Sequence, residues 1–162
     1  TYEIGMQDQA VLGLEAASLR ARDFASFGLV VLHVRGLARI GFVVGAGATE
    51  RLLCAVAKRL AASCNEDETL VRFGPDEFVV FTERHHPGQL VARWSAVCRS
   101  IEAEPIRIEN GHHEQVRLAT AHATLPDDGS DLAALLVVLE ERLPAGHRGR
   151  TVLPFRAARS AG

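Results

Sequence analysis

The sequence predicts an α+β fold, a mixed α/β sandwich around a central, mostly antiparallel sheet flanked by helices. Three observations carry that expectation. Apolar residues recur at helical spacing in some segments and form β-branched runs in others. Turn-rich hairpins alternate with longer helical crossovers, which mixes neighbouring and distant strand pairings. Hydrophobic residues make up 48% of the 162 residues, enough to bury a full core in one domain.

Taken in order, Leu12 to Phe24 has helical spacing, with Leu12, Ala16, Leu19 and Phe24 broadly on one side. Gly28 to Val34 is a near-continuous apolar run, as expected of a central strand covered on both faces. Gly36 to Gly47 is glycine-rich and reads as broken. Ala48 to Cys64 repeats Leu52, Leu53, Val56, Ala57 and Leu60 inward, leaving Glu50, Arg51, Lys58 and Arg59 for solvent as ordinary polar face. Thr69 to Phe73 and Phe78 to Thr82 read as strands around the turn Gly74-Pro75-Asp76-Glu77, where proline presets φ and Asp favours the next position. Pro87 to Ala103 is a further amphipathic helix, with Leu90, Trp94, Val97, Cys98 and Ile101 inward. Ile106 to Ile108 and Val116 to Thr124 read as a hairpin joined near Asn110-Gly111. Asp131 to Leu143 is a helix stopped by Pro144, and Thr151 to Phe155 is a short closing strand. The expected order is α-β-α-β-β-α-β-β-α-β.

Charge and composition narrow the function. Charged residues make up 23% and the net charge is −2, so no global pull toward nucleic acid or an anionic membrane is expected. The longest apolar runs, Leu29 to Leu32 and Leu132 to Leu139, are too short to span a bilayer. Cys54, Cys64 and Cys98 lack metal-type spacing and read as reduced core thiols of a cytoplasmic protein. His85-His86 and His112-His113 read as solvated loop residues, and Arg20 with Arg22 as a polar helix face.

Arg72-Phe-Gly-Pro-Asp-Glu-Phe78 resembles the R-[LFY]-G-G-D-E-F signature of the diguanylate cyclase (GGDEF) family, with Pro75 at the second glycine. The register extends over about the first 150 positions. Leu32 to Gly41 falls on the family's L-D-x-D-x-F-K-x-I-N segment, and Gly45 to Glu50 on its G-H-x-x-G-D loop. Ile4 to Gln9 falls on T-G-L-x-N-R and shares Gly5; Thr120 to Thr124 falls on S-I-G-V-A, and Ala145 to Arg150 on A-K-x-x-G-R. The resemblance implies a nucleotide-cyclase-like GGDEF fold over residues 1–155, with 156–162 a linker that leads to a further domain.

The resemblance also implies a chemistry. Two such domains each hold GTP, and metal ions bridge the triphosphate while each 3′-hydroxyl attacks the other's α-phosphate. The metal aspartates fall on His33 and Asp76, with Glu77 beside them, and the second Asp of D-x-D is Arg35. The base-reading Asn is Gly41 and its acidic partner Glu50; Gly74, Pro75 and Arg150 fall on the remaining nucleotide positions. The phosphate Lys falls on Gly146 or His147. Imidazole is a poor Mg²⁺ ligand, and proline removes an N–H from the turn. His33, Asp76 and Glu77 therefore read as vestigial catalytic positions, and no resident cofactor is expected, with Mg²⁺ only where GTP binds. The inhibitory R-x-x-D pair falls on Asn65 and Glu68 and lacks its arginine fork. His33 with Asp76 and Glu77 also admits a transition-metal reading.

Three functions stay open at this point. The first is a non-catalytic regulatory domain of cyclic di-GMP signalling, often paired with an EAL phosphodiesterase domain. The others are a weakly active cyclase and a module that binds GTP or cyclic di-GMP without turnover. The expected partners are these nucleotides, neighbouring domains or a homodimer mate.

Overall fold

In a computed structural model the described residues are 12–17, 27–83, 87–108 and 111–143. The expected closing strand, the Arg20–Arg22 face, His85-His86 and the Ala145 to Arg150 segment lie outside them. The main sheet has four antiparallel strands: β1 (Phe27–Val34), β2 (Glu68–Arg72), β3 (Glu77–Glu83) and β6 (Leu118–Thr124), in the order β2-β3-β1-β6. Two short strands, β4 (Ile106–Arg107) and β5 (His113–Glu114), form a separate ribbon. The helices are α1 (Leu37–Val44), α2 (Ala46–Ser63), α3 (Pro87–Ala103) and α4 (Leu132–Arg142).

Every residue of β1 is buried, as its unbroken apolar run requires of the strand between two partners. Alternation then sorts its side chains between two layers. Val30, Leu32 and Val34 join Phe78 and Val80 under α1, α2 and α3. Phe27, Leu29 and Val31 join Val79, Phe81, Ala121 and Ala123 under α4 and the 12–17 helical segment. Gly28 sits where a Cβ would stand 2.7 Å from Leu90 Cδ2, so glycine lets α3 approach β1. Thr82 Oγ1 is buried without a hydrogen-bond partner among the described residues.

The structure departs from the sequence expectation in several places. Gly36 to Gly47 is largely helical: α1 occupies Leu37–Val44, and the break is confined to Gly45, whose φ of 112 only glycine adopts freely. In the 12–17 segment Leu14 and Ala17 face the core, while Leu12 and Ala16, expected inward, are exposed; Leu19 and Phe24 lie outside the described residues. Ile106 pairs with Glu114, and the 118–124 strand instead joins β1 on the main sheet. A hairpin dipeptide fixes the turn but not how far the strands stay together. Cys98 is buried and Cys64 half-buried, but Cys54 is exposed on α2 and is no core thiol. Burial pushes the Cys98 thiol up to about 12. Arg59 is more than polar surface: it donates to the carbonyls of Ile101, Glu104 and Pro105 at 3.1, 2.6 and 3.3 Å. Those acceptors lie at the carbonyl-rich end of α3, which has no internal donors left for them.

Candidate functional site

The β2–β3 turn and the end of β1 meet at one edge of the sheet. Antiparallel register places His33 opposite Glu77 on β3, and opposite Ala119 on the other side. Because the side-chain period is two, His33 and Glu77 continue the Leu29, Val31, Val79 face toward α4. Backbone bonds fix the turn: Val34 N donates to Asp76 O at 2.8 Å, and Phe73 N and Gly74 N donate to Glu77 O at 2.9 and 3.2 Å. Pro75 is the exposed tip, where a missing N–H and a fixed φ cost little.

Asp76 and Glu77 are not ordinary solvated turn residues. They are 5% and 3% exposed, and His33 is 6% exposed. His33 Nε2 lies 2.9 Å from Asp76 Oδ2. One ligand atom from each of His33, Asp76 and Glu77 falls within 4.8 Å of the others. Glu77 also lines a small cavity with Val31, Phe73, Val79, the α4 residues Leu136, Leu139 and Glu140, and Leu143 just past the helix end. Arg35, next on that side of the chain, is exposed beyond the strand end.

A second cluster ties the turn to α2. Arg72 donates to Gly74 O at 3.3 Å and Pro75 O at 3.0 Å, and forks onto Glu50 at 2.9 and 3.4 Å. The Arg72 hydrogen bond holds the Glu50 carboxyl below its ordinary 4.5, against a smaller opposing effect of burial. Gly41 lies on α1, where a Cβ would sit 3.4 Å from Thr49 Cγ2. Gly41, Glu50, Gly74, Pro75 and Asp76 thus cluster around the α1–α2 junction and the turn, while Arg150, Gly146 and His147 lie outside the described residues.

Sequence reasoning missed the third cluster. Glu68 is buried, accepting from Trp94 Nε1 at 3.0 Å, from Asn65 N at 3.0 Å, and from the Arg93 guanidinium. Arg93 also donates to Ser63 O at 2.5 Å and stacks 5.4 Å from the Trp94 ring centroid. Asn65 folds into the adjoining turn, its Oδ1 accepting from Asp67 N at 3.0 Å. Nothing in the periodicity of α3 marks Arg93 as the partner of a residue 25 positions away.

This sheet order, with a buried acidic turn facing the end of the central strand, is the architecture of a nucleotide-cyclase-like domain. The model of the family described as diguanylate cyclase, GGDEF domain, matches residues 9–149, and the chain belongs to that family. It is 26% identical over 125 residues to the bifunctional diguanylate cyclase/cyclic di-GMP phosphodiesterase MucR of Pseudomonas aeruginosa. That match takes in 76% of this chain but only 18% of the relative's length. Among solved structures it is similar to the FimX GGDEF domain of P. aeruginosa, with TM-score 0.73, 19% identity, and 83% of each chain covered. It is also similar to the active GGEEF domain of a diguanylate cyclase from Vibrio cholerae, with TM-score 0.72 and 17% identity. That comparison covers 87% of this chain and 89% of the other. These likenesses establish the fold, and the family places the domain in cyclic di-GMP signalling. Among the described residues no helix is long and apolar enough to cross a membrane.

GGDEF domains generally use Mg²⁺ when active. The donors that converge here are one imidazole nitrogen and two carboxylates. Mg²⁺ prefers six oxygen ligands in near-ideal octahedral geometry and sheds its waters reluctantly. An imidazole in the strand position does not fit it.

Proposed function

We propose that this chain is a non-catalytic regulatory GGDEF domain of a longer, cytoplasmic cyclic di-GMP signalling protein. It acts by sensing nucleotide, by dimerising or by docking a partner. The observation that carries the reading is the buried His33–Asp76 hydrogen bond, 2.9 Å long, where the family holds a metal between carboxylates. A protonated imidazole there repels a cation, and a neutral one offers a soft nitrogen to an ion that prefers oxygen.

Further features support the same reading. Glu50, in the position of the base's acidic partner, is already forked onto Arg72. Gly41 offers guanine no side-chain amide. At the inhibitory position, Glu68 turns its carboxylate inward to Arg93 and Trp94, so product feedback through Asn65 and Glu68 is not part of this reading. The relative MucR is named for both synthesis and hydrolysis of cyclic di-GMP, and this chain matches a small part of it. That supports a phosphodiesterase neighbour, taken here as an EAL domain; under the same proposal the domain spans residues 1–155, with a linker at 156–162.

A calorimetric titration with GTP, Mg²⁺ and cyclic di-GMP tests the proposal. The expected result is GTP binding that Mg²⁺ does not strengthen, with the nucleotide recovered unchanged. Tight GTP binding that requires Mg²⁺ would contradict it.

A further inference from the structure

We draw no further inference here: the strongest candidate, the outward face of α1 that carries the exposed Phe42 and Val43, is an apolar patch, and nothing in the structure shows what covers it.

Discussion

Glu68 and His33 are both buried polar side chains, but they serve different ends. Glu68 is surrounded by donors, and removing its carboxylate strands the buried Trp94 N–H and the Asn65 N–H. Glu68→Ala is expected to cost about 3 kcal/mol, the low end for breaking a buried pair, because Arg93 still reaches water. Glu68→Gln keeps an acceptor and costs about 1 kcal/mol. Urea unfolding midpoints check both, and a neutral Glu68→Ala would remove the structural account of this residue. At His33 the expected effect is on ligands. His33→Asp places a third carboxylate beside Asp76 and Glu77, and GTP affinity should become Mg²⁺-dependent. Synthesis should stay absent, because Gly41 still leaves the base without a side-chain amide to place it; substantial product from the single mutant contradicts this. His122, half-buried on β6 beside Arg142 and Asp128, gives a pH signature. Burial first, and the Arg142 charge second, hold its imidazole below the ordinary 6.5, with Asp128 opposing. The unfolded chain therefore takes up the proton first, and stability falls as pH drops through 6.5. Asp128, held below 3.8 chiefly by its Arg142 hydrogen bond, loses its own contribution only in stronger acid. Thermal melts between about pH 7 and about pH 5.5 should show the decline, flattened in His122→Gln; superimposed curves would contradict the assignment.

At the scale of elements, local chemistry decided most of the fold. α4 starts where Asp131 accepts from Ala134 N at 2.8 Å, and Asp131→Ala should lower stability by about 1 kcal/mol in urea unfolding. No change on substitution would mean that packing of Leu132, Leu135 and Leu139, not the cap, fixes the helix start. β1, β3, α2, α3 and α4 were legible because apolar period and turn residues agreed with one another. α1 was not, because Gly36, Gly41 and Gly45 dilute a helical pattern whose apolar residues Phe42 and Val43 are exposed. The second hairpin failed for a related reason. Asn110-Gly111 signals a turn, but β6 buries Ala121 and Ala123 more completely against β1 than the short ribbon could.

For the whole molecule, the spacing of motifs along the chain was enough to place the family, because register survives when individual residues change. The site was legible only in part. His33, Asp76 and Glu77 were expected together and lie together. The Arg72–Glu50 fork spans 22 positions and the Arg93–Glu68 contact 25, and no local pattern announces either. The second pairing turns Glu68 inward, while Glu50 stays exposed on its fork with Arg72. Turnover by the intact chain decides whether the domain is catalytic. Incubated with GTP and either Mg²⁺ or Mn²⁺, and followed by chromatography, it should leave GTP unconverted. Cyclic di-GMP formed at a rate like that of active GGDEF relatives would contradict the central claim.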